Sequence, residues 1–239
     1  MSYSDYMNDK LAEPLIPVDQ LLRAYRNGIF PMAESREDTE IFWVEPKRRA
    51  IIPLDRFHAS KSLRKVVAQD KFKITINRDF AKVIDACGEP RDQHPQSWIS
   101  DGIKDSYIEL HYEGHAHSIE CWENTVLVGG LYGVSFGQIF CGESMFSRRS
   151  NASKVALCWL VSLMLEAGYK ILDCQFMTDH LRSLGAIEIK QQIYLKQLEK
   201  FQKPAKFSLP EVYRQQLEQA SLDYSSPGKF ILQSLIQTS

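Results

Sequence analysis

The sequence predicts an α/β (α+β) protein, a mixed sheet flanked by helices, with a domain boundary near the loop-like stretch Pro90 to Pro95. Two patterns carry the fold class. Three strand-like runs (118–122, 126–133 and 137–142) precede the clearest helical pattern in the chain. That helix is itself flanked by strands, a βαβ-like order that places a crossover on a sheet. The length of 239 residues allows one large domain or one domain plus a smaller one.

The elements follow in order. Residues 18–28 (VDQLLRAYRNG) read as a helix closed by Gly28, and Gly28 to Pro31 as a turn. Ser60 suits an N-cap, which sets Lys61, Arg64 and Lys65 at i, i+3, i+4 on one face of a short helix. Leu63, Val66 and Val67 then lie on other faces. Residues 72–78 (FKITINR) alternate as a strand, and Ile103 to His111 reads as a helix. Five glycines between Gly129 and Gly142 suggest close backbone approach. Asn151 opens the main helix, where Ala156, Trp159, Leu160, Leu163, Met164 and Ala167 repeat at helical spacing before a Gly168 cap. A strand over Tyr169 to Phe176 follows, then a helix near 178–184, a short strand at 187–189 and a helix over 192–201. The tail after Pro204 is polar and poorly patterned.

Composition narrows the function classes. Apolar content of 44% and charged content of 25% are ordinary for a soluble protein. The five cysteines (Cys87, Cys121, Cys141, Cys158, Cys174) are odd in number and form no CxxC pair, which argues against a disulfide framework and a structural zinc site. Residues 1–10 hold no signal-peptide core, and the apolar run Val155 to Leu165 falls short of the about 20 residues a bilayer demands. A reduced, cytoplasmic protein is expected. Charge is uneven: Lys47 to Lys82 holds eleven Lys/Arg against three acids, a net of +8 in a chain of net −1. Such asymmetry points to a local polyanion site, and Lys61, Arg64 and Lys65 form its most regular row.

Two short segments carry candidate chemistry. In Ile171-Leu172-Asp173-Cys174-Gln175-Phe176, strand alternation puts Asp173 and Gln175 on one side and Leu172, Cys174 and Phe176 on the other. In Phe140-Cys141-Gly142-Glu143-Ser144-Met145, an acid sits among apolar and hydroxyl groups, as at the rim of a pocket. From the residues alone, a hydrogen-bonded structural pair and an exposed strand-end acid remain the more economical readings. His115, His117 and Cys121 lack a fourth ligand and the usual metal spacing. Ser144 and Ser147 lack His and acid partners for a hydrolase.

These segments resemble the leucyl/phenylalanyl-tRNA–protein transferases of bacteria. The likeness rests on AYRNGIFPM (24–32), FWVEPKRRAI (42–51), SWISDGI (97–103), GHAHSIECW (114–122), LVGGLYGVSFGQIFCGESMFSR (127–148), NASKVAL (151–157), ILDCQF (171–176) and DHLRSLGAIEI (179–189), in that order. The resemblance implies an acetyltransferase-like (GNAT-like) catalytic domain over 93–239 and a smaller N-terminal domain over 1–92 with a basic tRNA-facing region. It implies transfer of Leu, Phe and less often Met from aminoacyl-tRNA to an N-terminal Arg or Lys, marking the acceptor protein for degradation. A cytoplasmic monomer is expected, with no membrane partner, cofactor or metal.

By the same resemblance, Asp173 and Gln175 handle the attacking amine and Glu143 belongs to the acceptor site. Trp43 and Trp98 hold the 3′-adenosine and aminoacyl end. Leu131, Phe140, Gly142 and Met164 fall on the side-chain pocket, and Lys61, Arg64 and Lys65 face the acceptor stem. This chain departs from the family at LAEPLIPVDQ (11–20), which lacks the usual glycines, and at Met32, where a tryptophan is usual. Met164 and Glu166 also depart from the expected pocket residues, which leaves the ranking of Leu, Phe and Met open. A coenzyme-A-dependent acetyltransferase would carry a glycine-rich loop before the long helix; SRRSNASK has none.

Overall fold

A computed structural model describes residues 15–90 and 97–236. The chain runs α1 (Val18–Arg26), β1 (Phe30–Met32), β2 (Phe42–Val44), β3 (Arg48–Pro53), α2 (Lys61–Ala68), β4 (Lys73–Ile76), α3 (Phe80–Cys87), α4 (Asp101–Tyr112), β5 (Ala116–Glu123), β6 (Val126–Phe136) and β7 (Ile139–Ser147). It continues with α5 (Ala152–Ala167), β8 (Ile171–Asp173), α6 (Asp179–Ser183), β9 (Ile187–Lys190), α7 (Gln191–Lys200), α8 (Leu209–Leu222) and α9 (Pro227–Ile236).

Seven strands form one mixed sheet in the order β4-β5-β6-β7-β8-β3-β9. Its pairs are antiparallel except β7 and β8, which run parallel because α5 carries the chain back across the sheet. Side chains alternate between the two faces, so Leu131, Phe140 and Leu172 enter one core with α2, α5, α8 and α9. Tyr132, Cys141 and Ile171 enter a second core with α1, α3, α4 and α7. The helices thus cover both faces. The boundary expected at 92/93 lies outside the described residues, and strands from either side of it share this sheet.

Two glycines explain how closely these layers approach. A Cβ on Gly129 would lie 2.4 Å from the Ala152 Cβ, so the glycine lets α5 seat directly on β6. A Cβ on Gly133 would meet the Cys141 carbonyl at 2.2 Å and the Phe140 ring at 2.4 Å.

Three local expectations need correction. The segment after Pro204 forms α8 and α9, which bury Leu209, Val212, Ile231 and Leu235 against α2 and α5. A capping box between Ser208 and Glu211, with Pro210 in the first turn, starts α8. The expected turn at Gly28 to Pro31 passes directly into β1, which pairs with β2. The strand drawn over 169–176 ends at Asp173.

Candidate active site

The site forms where two neighbouring strands become irregular. Strands β7 and β8 pair only over Ile139–Cys141 and Ile171–Asp173, then separate. Just past the last pair, β7 carries one extra residue against β6: Tyr132 pairs with Ser144 and Gly133 with Gly142. Glu143 is therefore the unpaired residue of a β-bulge, a device that re-aims a side chain. Past the end of β8, Gln175 has φ +55 and the Phe176 N–H donates to the Cys174 carbonyl at 2.7 Å. That i to i+2 bond around a positive φ is a γ-turn of the rare, strained kind. Alternation fails at this turn, so Asp173 stays beneath the sheet while both Cys174 and Gln175 face the gap.

The gap is the mouth of a cavity of about 210 Å³. Leu131, Leu157, Leu160, Leu172 and Leu181 give it an apolar lining, and Glu143, Ser144, Gln175, Thr178 and His180 add polar groups. The Gln175 amide Nε2 donates to Glu143 Oε1 at 3.0 Å, tying the bulge to the γ-turn. Tyr107 of α4 donates to Glu143 Oε2 at 3.4 Å, and Tyr25 of α1 hydrogen-bonds to Tyr107.

Burial is the main cause that pushes the Glu143 carboxyl up to about 8. The nearby Asp173 adds to the rise, while the tyrosine hydrogen bonds and Arg49 oppose it. A free carboxyl ionises near about 4.3, so between that pH and the folded value the native protein keeps a proton that the unfolded chain releases. This group therefore contributes stability at low pH that is lost as pH rises to about 8. Glu143→Gln is expected to flatten that loss, so that its calorimetric Tm falls less than the wild-type Tm between about pH 5 and pH 8. Parallel profiles would disprove the assignment.

Asp173 lies fully buried, with both oxygens occupied. Arg49 grips it with Nε to Oδ1 at 2.9 Å and Nη2 to Oδ2 at 2.6 Å. The Tyr194 hydroxyl donates to Oδ2 at 2.7 Å, the Cys141 thiol to Oδ2 at 3.3 Å, and the Gln175 backbone N–H to Oδ1 at 3.0 Å. Burial alone would lower the Arg49 guanidinium, but the Asp173 charge and its hydrogen bonds hold it above its ordinary value. Arg49 was counted among the cations of the basic window; at 1% exposure it has no face for a phosphate.

The other expected residues are placed as follows. Leu131 and Gly142 line the cavity. Phe140 and Met164 are buried in the adjoining core and do not line it, because α5 turns Leu157 and Leu160 toward the cavity. Trp43 stands 39% exposed on β2, and Trp98 is half-buried just before α4; neither lines the cavity. Lys61 and Lys65 are exposed and Arg64 half-buried on α2, whose Ser60 cap accepts from the Leu63 N–H. Among the described residues no group of three His, Cys, Asp or Glu converges as a metal site. His117 bonds to Asn77, the Cys121 thiol donates to the Ala152 carbonyl, and burial lowers His117 to about 4. Besides Leu131, the lining leucines Leu157, Leu160, Leu172 and Leu181 were not singled out from the sequence, although Leu157 and Leu160 at i and i+3 on one helix were a usable signal.

A cavity lined largely by leucines, with a hydrogen-bonded carboxyl and amide on its wall and set in the split of a mixed sheet, has the make-up of a pocket for an apolar group beside placed polar groups. Comparison with known sequences gives the class a family. The family described as leucyl/phenylalanyl-tRNA protein transferase matches residues 51–199, and its N-terminal domain matches residues 16–47. A leucyl/phenylalanyl-tRNA–protein transferase of Novosphingobium aromaticivorans is 60% identical over 79% of this chain and 72% of its own length. One from a Ruegeria species is 50% identical over 82% of this chain and 91% of its own. The chain belongs to the leucyl/phenylalanyl-tRNA–protein transferase family. A solved structure titled "Crystal structure of FemX" aligns with a TM-score of 0.48 and 12% identity over 76% of this chain and 71% of that one, too distant to add to the assignment.

Proposed function

We propose that this enzyme transfers Leu or Phe, and less often Met, from aminoacyl-tRNA to the N-terminal Arg or Lys of proteins in the cytoplasm, so marking them for degradation. The observation that carries this reading is the leucine-lined cavity whose wall holds the hydrogen-bonded pair Gln175 and Glu143. The cavity takes the apolar side chain of the donor, and the polar pair on its wall receives the acceptor amine.

The donor is an activated ester, so no ATP is consumed. The α-amine, with pKa about 7.7–8.0, is partly neutral near pH 7. Its nitrogen attacks the ester carbonyl, the C–N bond forms, and the ester C–O bond breaks as one amine proton passes to the departing ribose oxygen, leaving the free ribose hydroxyl. Gln175 Nε2 is engaged by Glu143, which leaves the amide carbonyl to accept from the amine and aim its lone pair. Asp173, with its oxygens filled, is a positioning residue. Backbone N–H groups on the edge of β7 past Cys141, which has no strand partner there, are candidates for the oxyanion.

Glu143 offers a carboxylate to a basic acceptor side chain, and a cation docking beside it favours ionisation of a group otherwise held near 8. Trp43 and Trp98 are the aromatics for the adenosine. Lys61, Arg64 and Lys65 supply the row for acceptor-stem phosphates, each contact releasing condensed counterions. No helix among the described residues is long and apolar enough to cross a membrane.

The test is direct. Incubated with radiolabelled Leu-, Phe- or Met-tRNA and a protein bearing N-terminal Arg, the enzyme is expected to put label into the protein. It should add little to the same protein bearing N-terminal Gly. Absence of label with every donor would refute the reading.

A further inference from the structure

Arg49 is a cation that neither the basic surface nor the reaction uses. It is 1% exposed, and its guanidinium lies between the rings of Phe30 and Tyr194, 4.9 and 4.7 Å from their centroids. It touches three separate parts of the chain. Nε and Nη2 hold Asp173 at the end of β8, and Nη1 donates to the Gly28 carbonyl at 3.1 Å, in the turn between α1 and β1. The Tyr194 ring and hydroxyl bring in α7.

A buried ion pair gains little stability over well-packed apolar residues of similar volume, so stability alone gives no reason to keep one here. Asp173 has a second task. Its Oδ1 accepts the N–H of Gln175, the positive-φ residue at the centre of the turn, at 3.0 Å. Gripped by Arg49 at both oxygens and by the Tyr194 hydroxyl, Asp173 is held as an acceptor for that N–H. The turn in turn aims the amide that meets Glu143.

We infer that Arg49 is a positioning residue. Together with Tyr194 it locks Asp173 so that Gln175 is held in its γ-turn, and it joins the α1–β1 turn to that same point. The kinetic part of this inference rests on the transfer reaction proposed above; its structural part does not.

Arg49→Ala strands a buried carboxylate and risks loss of the fold. The informative proteins are Arg49→Lys, which keeps Asp173 and a buried cation but loses the two-point grip, and Tyr194→Phe, which deletes one hydroxyl. Amide hydrogen exchange at Gln175 is expected to speed up by about tenfold or more in Arg49→Lys, and less in Tyr194→Phe. In the transfer assay kcat of Arg49→Lys is expected to fall about tenfold or more while KM for aminoacyl-tRNA stays within about threefold. Unchanged Gln175 exchange in both variants overturns the inference, and so does wild-type kcat in Arg49→Lys. Should the wild-type enzyme transfer no label at all, the proposed function fails, and the exchange rates still decide whether Arg49 holds the turn.

Discussion

Asp173→Leu is expected to cost about 3–5 kcal/mol of folding stability, because it leaves the Arg49 guanidinium buried without its anion. At 1% and 0% exposure, neither partner can turn to water when the other is removed. Arg49→Met should cost a similar amount for the mirror reason. Arg49→Met/Asp173→Leu should cost far less than the two single changes together, since it removes both charges and keeps the volume. Denaturant unfolding of the four proteins measures this directly. Additive losses would mean that the pair is not coupled, and the hydrogen bonds at 2.6 and 2.9 Å would then have no energetic counterpart.

That pair also marks where the sequence stopped being readable. The main helix was legible because Val155 to Leu165 is apolar enough to require burial, and Gly168 takes the left-handed conformation (φ +84) that closes it. The Ser60-capped helix was legible for a local reason too: one hydroxyl, one N–H and a row of cations three and four residues apart. The tail was misread because the stripe that α8 buries is narrow and weak, with Gln216 and Ala220 among its buried positions beside Leu209 and Val212. Its capping box was there to be seen.

The site residues Asp173, Gln175 and Glu143 were chosen from short segments, but their arrangement was beyond the sequence. The bulge at Glu143 exists only as a mismatch of register between β6 and β7. The γ-turn at Gln175 depends on Asp173, and Asp173 depends on Arg49, 124 residues away. Strand periodicity put Asp173 and Gln175 side by side; the turn separates them into an anchor below the sheet and an amide at the cavity. Arg49 looked like one more cation in a basic window because nothing local distinguishes a buried arginine from a solvated one.

The claim on which the account turns is that the Gln175 side chain aims the attacking amine at an ester held in the leucine-lined cavity. A single-turnover measurement with Gln175→Ala, using pre-bound radiolabelled Phe-tRNA and saturating acceptor, tests it most directly. The account predicts a transfer rate lower by about 100-fold, the scale of a misdirected nucleophile, with affinity for Phe-tRNA unchanged. A rate within about threefold of wild type, with the donor bound as tightly, would show that the amide does not direct the reaction.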